Sequence, residues 1–382
     1  MSESTSLRLD REREFPIVRQ WVYFNHAAVA PLPARAAQAI RAFADQAAAH
    51  GATDYDSWKA AFQRCRELAA RLIGCETNEV AFVKSTTHGL LCVANSIDWR
   101  AGDNLVTFAG EFPANVWPWK NLARLGVERR VAPLRNEEPS LSDLEALMDS
   151  RTRLAAVSFV SYSTGFRTDG ARFAELCRRR GVLSCLDAIQ GLGAVPVEAN
   201  QWGLDFLSAD GHKWLLGPEG HGPLFCSSRV IDQLNESMTG WCGRDGYSDY
   251  ENHDLPLFRD ARRFEEGSHN MLCARALEAA LGLLLEVGME TVARRIREVT
   301  DYLVERLRQA GWRIHSSRAE GEWSGIVSAT KPGVDPQALA SRLMERRIFA
   351  SARVGRLRFS PHFYNTMEEV DRAIAELRAC GG

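Results

Sequence analysis

The stretch Ser208-Ala-Asp-Gly-His-Lys-Trp-Leu-Leu-Gly-Pro-Glu-Gly-His-Gly222 places Lys213 between a histidine and a tryptophan, among glycines. Only five of the 47 basic residues are lysines, so a lysine in this setting is unusual. It follows the apolar run 206–209, which predicts a buried strand. A lysine held in a desolvated pocket has a lowered pKa and becomes a nucleophile toward carbonyl groups, although a structural lysine would also fit here.

Apolar runs of strand length alternate with helical patterns between about residues 80 and 230. Two helices are predicted before them, over 34–50 and 56–73. Strands that alternate with helices predict an α/β fold with a mostly parallel sheet, covered by helices on both faces. The predicted strands are 80–83, 104–108, 154–160, 182–186, 206–209 and 223–226.

The pattern changes after about residue 270, where a smaller α+β domain is predicted. Its last helix opens with a capping box from Thr366 to Glu369. We expect an N-terminal arm over 1–30, a large domain over 31–270 and a small domain over 271–382. In the small domain we predict helices 271–286, 290–310, 336–346 and 367–379 and strands 325–330 and 355–360.

The bulk composition of the 382-residue chain is that of an ordinary globular protein, with 45% hydrophobic and 25% charged residues. A net charge of -2 provides no broad positive field for nucleic acid or an anionic membrane. The nine cysteines are scattered without a C-x-x-C pair, and the polar first residues have no apolar core of the kind that a signal peptide needs. We therefore expect a cytoplasmic protein. We expect no metal site, because Glu266 and His269 lack the partner motif of a di-metal centre.

Ligands of open parallel sheets bind at the carboxyl ends of the strands, so residues that follow the strands are informative. The strand 182–186 runs directly into Asp187 and Gln190. The carboxylate of Asp187 could hold a pyridine nitrogen protonated, a charge-assisted hydrogen bond of roughly 1.5–3 kcal/mol, while Gln190 could reach a ring hydroxyl. Asp187 could equally be an ordinary helix N-cap.

Two other strand exits carry candidate ligand contacts. Thr86 and Thr87 follow the strand 80–83 at the start of a predicted helix, where hydroxyls and free N–H groups can bind a phosphate. Phe112 follows the strand 104–108 and could stack on a flat ring. An ordinary Ser/Thr cap and a core aromatic remain alternatives, and Lys84 is a minor rival to Lys213.

The order of these motifs resembles the class V pyridoxal-phosphate enzymes of fold type I. It runs Thr-Thr-x-Gly, Glu-Phe-Pro-x-Asn, Asp-x-x-Gln, Gly-His-Lys and Arg-Phe-Glu-x-Gly-Ser. The family includes aminotransferases, cysteine desulfurases and isopenicillin N epimerase-like proteins, and the resemblance covers residues 20–375. It implies a large domain with a mostly parallel seven-stranded sheet and a small α+β C-terminal domain.

The resemblance implies a role for each cofactor-binding residue. Lys213 would bind pyridoxal 5′-phosphate covalently and act at Cα, and Asp187 would pair with the pyridinium nitrogen. Gln190 would contact the ring hydroxyl, and Phe112 would stack on the ring. Asp210 stands where many relatives have a serine near the phosphate. The phosphate itself would be bound by Thr86, Thr87 and His212.

The resemblance also implies a homodimer and a substrate arginine. Ser268 matches a position that reaches the phosphate of the partner subunit, which predicts shared active sites. Arg358 matches the arginine that binds the α-carboxylate of the substrate, for which a planar guanidinium is suited. Arg244 hints at an acidic substrate side chain. Other candidate substrate contacts are Asn25, His26 and Tyr162, of which His26 could equally be structural, as could His50.

Two departures from the family bear on the reaction. Cysteine desulfurases carry a catalytic cysteine on the loop before the substrate arginine, but residues 346–357 contain none and Cys242 lies in a different loop. Those enzymes also stack a histidine on the cofactor where this chain has Phe112, which cannot transfer protons. Both departures favour the aminotransferase and epimerase-like branches over a desulfurase.

The sequence predicts an aminotransferase that acts at Cα of an α-amino acid, with Lys213 as the general base. Two alternatives use the same residues: a β-eliminating C–S lyase on a cysteine conjugate, and an amino-acid epimerase. A third alternative, from another class, is a fold-type-I protein that binds the cofactor for regulation or sugar modification. The lack of a DNA-binding module and the set of motifs argue against it, and Lys213 argues against a non-enzymatic scaffold.

Overall fold

The computed structural model describes residues 9–238 and 240–381. Within these ranges it contains thirteen strands and twelve α-helices. The strands are β1 (Val22–Tyr23), β2 (Val80–Val83), β3 (Asn104–Phe108), β4 (Glu128–Ala132), β5 (Thr152–Ser158), β6 (Leu183–Asp187), β7 (Phe206–Ser208), β8 (Gly222–Cys226), β9 (Arg313–Ile314), β10 (Val327–Thr330), β11 (Ile348–Phe349), β12 (Ser351–Arg353) and β13 (Arg356–Phe359). The helices are α1 (Arg11–Glu14), α2 (Ala34–His50), α3 (Tyr55–Ile73), α4 (Thr86–Ser96), α5 (Trp117–Asn121), α6 (Leu141–Ala146), α7 (Gly170–Arg180), α8 (Ala199–Trp202), α9 (Met271–Val287), α10 (Met289–Gln309), α11 (Pro336–Glu345) and α12 (Met367–Ala379).

Seven strands form a central sheet in the order β2-β8-β7-β6-β5-β3-β4. The pairs among β7, β6, β5, β3 and β4 are all parallel, whereas β8 is antiparallel to both of its neighbours. Strand β2 therefore runs in the same direction as β7. This confirms the mostly parallel seven-stranded sheet expected from the sequence. It also places the carboxyl ends of β2, β3, β5, β6 and β7 at one edge.

The central sheet is buried on both faces, as its continuous apolar runs predict. Along β5, Ala155 and Val157 pack into one hydrophobic core, and the alternate residues Leu154 and Ala156 pack into another. Successive side chains of a strand point to opposite faces, so each core covers one face of the sheet. Helices α3 and α9 contribute to the first core and α4 to the second.

A second, four-stranded antiparallel sheet has the order β12-β13-β10-β9 and packs on a third core. The N-terminal segment joins this part of the molecule, because β1 pairs in parallel with β11. Helix α9, which the proposed division assigns to the small domain, packs in the first core with α3, so the division into arm, large domain and small domain stays a prediction. Residues 1–8 of the proposed arm lie outside the described residues.

The predicted helices and strands are present, and their ends differ from the prediction by at most two residues. The capping box of α12 forms as expected: Thr366 Oγ1 accepts from Glu369 N, and the Glu369 carboxylate accepts from Thr366 N. Strand β4 was missed by the sequence analysis. No helix within residues 9–238 and 240–381 is long and apolar enough to cross a membrane.

Candidate active site

A cavity of about 320 Å³ opens where the carboxyl edge of the central sheet meets the N-terminal segment and β13. This volume suits a small ligand. Ala27, Ala28 and Val29 form one wall, which the sequence analysis did not identify. The cavity brings together nine of the predicted site residues: Thr86, Thr87, Phe112, Tyr162, Gln190, Asp210, His212, Lys213 and Arg358.

Lys213 reaches this cavity from the turn that follows β7, and its side chain is buried. Burial lowers the pKa of Lys213 from the ordinary 10.5 to about 8; the charge of Asp187 raises it, and that of Arg358 lowers it. Roughly a tenth of the amine is therefore uncharged at pH 7, compared with less than about one part in a thousand for an ordinary lysine. An uncharged, buried amine suits attack on a carbonyl group better than a structural ion pair.

Asp187 ends β6 and is almost completely buried behind the cavity. Its Oδ1 accepts a hydrogen bond from Ile189 N at 3.2 Å, but its buried Oδ2 has no partner. Burial raises the pKa of Asp187 to about 6. Within the described chain no helix begins here, so Asp187 is not the N-cap that the sequence left open. An unpaired buried carboxylate oxygen fits a protonated ring nitrogen, which would supply the missing donor.

The N-terminus of α4 forms the part of the cavity suited to a phosphate. Thr86 and Thr87 lie in the first turn, and the N-cap Ser85 accepts from His88 N at 3.1 Å. The helix packs directly on β7: a Cβ at Gly89 would come within 2.2 Å of Ser208 Oγ. This contact positions the free N–H groups of the first turn at the sheet edge, where they can bind an anion.

Three polar side chains line the cavity near Lys213. Gln190 donates from Nε2 to Ala27 O at 2.9 Å, and its Oε1 accepts from Trp214 Nε1 at 3.0 Å. His212 Nδ1 lies 3.0 Å from Asp210 Oδ2. The two hydrogen bonds orient Gln190, whereas His212 Nδ1 is close to Asp210 without forming a hydrogen bond. Contacts to a ring hydroxyl and to a phosphate stay predictions.

Phe112 lies over Lys213 and makes an edge contact with Tyr162, their ring centroids being 5.2 Å apart.

The loop that carries Phe112 is anchored by the preceding residue, Glu111, which accepts hydrogen bonds from Ser158 N at 2.8 Å and from the Ser158 hydroxyl. Burial raises the pKa of Glu111 to about 7. Glu111 therefore ties the Phe112 loop to the end of β5. The sequence analysis quoted Glu111 in a motif without assigning it this role.

Arg358 is almost fully buried on β13, not on a surface strand. Its Nη1 donates to the carbonyl of Tyr162 at 2.9 Å, and its buried Nε has no partner. Burial, together with the charge of Arg353, lowers the pKa of Arg358 to about 9. A buried guanidinium without a carboxylate partner in the described chain fits the carboxylate of a substrate. Arg353, a second cavity arginine, was not predicted.

The structure corrects the expectation for His26, which is fully buried away from the cavity wall. Its Nδ1 lies 2.8 Å from Ser360 O, and its Nε2 lies 2.7 Å from Tyr364 Oη. Both ring nitrogens are thus used within the protein, so we no longer expect a substrate contact. Asn25 is also buried off the wall, with its Oδ1 unpaired, and its role stays a prediction.

Four further residues that the sequence singled out lie outside the cavity. Ser268 lines a separate cavity of about 390 Å³ together with Lys84, which pairs with Glu266 at 3.1 Å. Cys242 is buried against a third cavity. Arg244 donates to both carboxylate oxygens of Glu236, so it is not free to bind an acidic substrate.

Known proteins similar to this chain share its fold and length. The chain matches the Aminotransferase class-V family over residues 22–373 and belongs to that family. It is 29% identical to the uncharacterized aminotransferase YcbU of Bacillus subtilis (85% of each chain). It is 31% identical to a probable cysteine desulfurase of Aeropyrum pernix (94% of each). It is also 31% identical to isopenicillin N epimerase of Amycolatopsis lactamdurans (82% of this chain, 83% of the relative).

Solved structures show the same fold at lower sequence identity. The cystine C–S lyase C-DES matches with a TM-score of 0.89 at 23% identity, covering 95% of this chain and 98% of its own. A cysteine desulfurase of Thermococcus onnurineus matches with a TM-score of 0.87 at 23% identity, covering 97% of each chain. Fold type I and the cofactor expected from the sequence, pyridoxal 5′-phosphate, are thereby confirmed.

Proposed function

We propose that the protein is an aminotransferase that exchanges the amino group of an α-amino acid for the carbonyl oxygen of a keto acid. The observation that carries this proposal is the cavity lined by both the buried amine of Lys213 and Arg358, a buried guanidinium that pairs with no carboxylate among the described residues. The first group can act on Cα, and the second can bind the carboxylate attached to it.

The roles of the side chains follow from their positions. When bound, pyridoxal phosphate supplies an aldehyde that accepts the amino group and a ring that takes up the electrons left at Cα. Arg358 binds the α-carboxylate and orients the Cα–H bond. Lys213 Nζ would remove the proton from Cα and would return it to the carbon that carried the aldehyde, on the other side of the amino nitrogen. Asp187 keeps a proton at the ring nitrogen, and the first turn of α4 binds the phosphate.

The make-up of the cavity wall supports transfer over epimerisation. Inversion at Cα needs a proton donor on the face opposite to Lys213. Phe112 supplies an apolar ring to the wall, and the nearby Asp210 and His212 are paired with each other. A single base that moves one proton between the two carbons on either side of the amino nitrogen suits amino-group transfer.

The position of the cysteines supports transfer over desulfuration. A desulfurase needs a thiol that can reach the substrate sulfur. None of the nine cysteines, all within the described residues, lines the cavity around Lys213. The segment between β12 and β13 is a two-residue turn of Val354 and Gly355, without a cysteine.

The visible spectrum of the holoenzyme during one turnover tests the reaction. The protein is mixed with single amino acids and no keto acid. We expect the yellow form to change to a stable colourless pyridoxamine form, with one equivalent of keto acid released, and added keto acid to restore the colour. A spectrum that returns without keto acid, with ammonia, a sulfur product or an inverted Cα, would mean lyase or epimerase chemistry and would contradict the proposal.

We also propose a homodimer in which Ser268 contributes to the active site of the second copy. Within one protomer Ser268 lines a different cavity from Lys213, which supports this arrangement. Mixing Lys213→Ala with Ser268→Glu protein tests it, because a mixed dimer would contain one intact site. Recovery of activity on mixing two inactive variants is the expected result. Two variants that stay inactive while exchanging subunits would contradict a shared site.

We further propose that the protein resides in the cytoplasm. All nine cysteines are unpaired in the structure, which supports a reducing compartment. Fractionation of cells with an antibody against the native protein tests this. Recovery of the protein outside the cytoplasmic fraction would contradict it.

A further inference from the structure

Three arginines share one face of the small sheet. In the antiparallel pair β12–β13, Ser351 is opposite Arg358 and Arg353 is opposite Arg356. Directly opposite residues point to the same face, as do residues two apart on one strand. Arg353, Arg356 and Arg358 therefore all point to the same side, and two of them, Arg353 and Arg358, line the cavity around Lys213.

Two of the three arginines already have an anionic partner, one within the protein and one in the proposed substrate. Arg356 forms an ion pair with Glu137, whose other oxygen lies 3.0 Å from His315 Nδ1. Arg358 donates to the Tyr162 carbonyl and is reserved for the α-carboxylate in the proposed function. The third, Arg353, donates only to the carbonyl of its own neighbour Ala352 at 2.8 Å, and no carboxylate of the described chain pairs with it.

The charges around the cavity leave Arg353 without an assigned partner. In the proposed function Asp187 pairs with the ring nitrogen. Asp210 Oδ2 lies 3.0 Å from His212 Nδ1, and Asp210 Oδ1 accepts a hydrogen bond from Gly211 N at 2.7 Å. The phosphate has the first turn of α4. Arg353 lines the same cavity as Lys213 and Arg358, which places it close enough to act on the same ligand.

The turn that carries Arg353 is held in a strained conformation. Val354 and Gly355 both have positive φ, 50° and 70°. A two-residue hairpin of this kind favours Asn-Gly or Gly-Gly, and a β-branched residue in the left-handed region is unfavourable. Val354 is 60% exposed, so packing does not explain its presence. Such strain is typical of a functional site, and the tight turn fixes the register that points Arg353 at the cavity.

We propose that Arg353 binds a second anionic group, at the far end of the substrate side chain, so that the enzyme acts on amino acids with an acidic side chain. The inference rests on the proposed function, in which Arg358 binds the α-carboxylate. Arg353 is exposed at the mouth of the cavity, and its planar fork suits a carboxylate, sulfinate or phosphate.

Binding of amine-free analogues to the holoenzyme tests this without turnover. Succinate and glutarate carry two carboxylates, and butyrate is the matched monocarboxylate. Calorimetric or spectral titration should show that the better dicarboxylate binds about 10- to 100-fold more tightly than butyrate, as expected for one added charged hydrogen-bonding group. Arg353→Gln should remove this preference, and the control Arg342→Gln, on the exposed face of α11, should keep it.

The possible outcomes separate the roles that Arg353 could have. If Arg353→Gln weakens butyrate and dicarboxylate binding equally, Arg353 assists Arg358 and the proposal is overturned. Loss of the cofactor from Arg353→Gln would place it at the phosphate and would also overturn it. Retained dicarboxylate preference would have the same consequence.

The reaction and the specificity can fail independently. Amino acids with acidic side chains that undergo elimination instead of amino-group transfer would contradict the proposed function and leave the role of Arg353 intact. The enzyme could instead transfer amino groups with a kcat/KM for aspartate and glutamate no higher than for asparagine and glutamine. That result would contradict the role of Arg353 and leave the proposed function intact.

Discussion

The amine of Lys213 lies 5.6 Å from the centroid of the Phe112 ring. The two side chains come from the ends of different strands, β7 and β3, which the sheet brings to the same edge. A cofactor ring bound by Lys213 at this place would have the exposed face of Phe112 available for stacking.

The pH dependence of cofactor attachment should report the lowered pKa of Lys213. The uncharged amine is the nucleophile, so the rate at which the apoprotein acquires the yellow colour should rise with pH and reach half its maximum near pH 8. Stopped-flow absorbance between pH 6 and pH 10 measures this. A rate that still rises steeply between pH 9 and pH 10, as expected for an ordinary lysine with a pKa of 10.5, would contradict the buried setting. Lys213→Ala is the control and should bind the cofactor only reversibly.

Asp187→Asn should keep the fold and reduce kcat by at least about 10²-fold. The amide cannot hold a proton at the ring nitrogen, which weakens the electron uptake that proton removal from Cα needs. Steady-state kinetics with the best amino donor measure the loss. A kcat within about threefold of the wild-type value would remove Asp187 from the mechanism.

The same substitution should stabilise the apoprotein at neutral pH. Burial raises the pKa of Asp187 from 3.8 to about 6, so ionising it weakens the folded state as the pH rises through this range. Asparagine avoids that loss, and the gain is up to about 3 kcal/mol above pH 6 and small near pH 4. Urea unfolding of both apoproteins from pH 4 to pH 8 tests this. A difference that does not change with pH would contradict it.

Arg358→Lys should lower kcat/KM about 10- to 100-fold while retaining the cofactor. Lysine keeps the charge but loses the planar fork that binds both carboxylate oxygens. Kinetics are measured with one amino donor and with its amide, which lacks the α-carboxylate. The comparison separates a loss of carboxylate binding from damage to the fold. The variant should lose activity toward the acid and change little toward the amide. An equal loss for both would indicate a structural role for Arg358.

Tyr364→Phe should test the structural role of His26. The substitution removes the hydroxyl bonded to the buried Nε2 of His26, which should destabilise the protein by about 1–3 kcal/mol. Thermal unfolding of the holoenzyme measures the change. The KM for the amino donor should stay the same, because neither side chain lines the cavity. If Tyr364→Phe raised the KM and left the stability unchanged, His26 would again be a candidate substrate contact.

The sequence predicted the parts of the fold and site that depend on local hydrophobic pattern and on the residues that directly follow each strand. Buried strands such as β5 are continuous apolar runs, and the residues that follow them must meet at the sheet edge, which located Asp187 and Lys213. Strand β4 escaped because Glu128–Ala132 is a charged segment at the edge of the sheet, paired only with β3. Its residues form a strand because they pair with β3 and not because they are buried, so no apolar pattern marks the strand in the sequence.

The remaining misses depend on contacts between distant segments. His26 stands beside cavity residues in the sequence, but its ring turns toward Ser360 and Tyr364, which no local pattern reveals. Arg353 was one of many arginines in the chain. Only the register of β12 with β13 distinguishes it from Arg356, which is neutralised by Glu137.

The pairing of β1 with β11 constrains how the molecule can fold during its synthesis. His26 and its acceptor on Ser360 are 334 residues apart in the chain, so the ribosome needs roughly 20–70 s to supply the second after the first. Until then the segment Ala27–Val29 has no small-domain surface to dock on. The catalytic cavity is consequently among the last parts of the protein to form, and a nascent chain still attached to the ribosome has its large sheet before it has an enzyme.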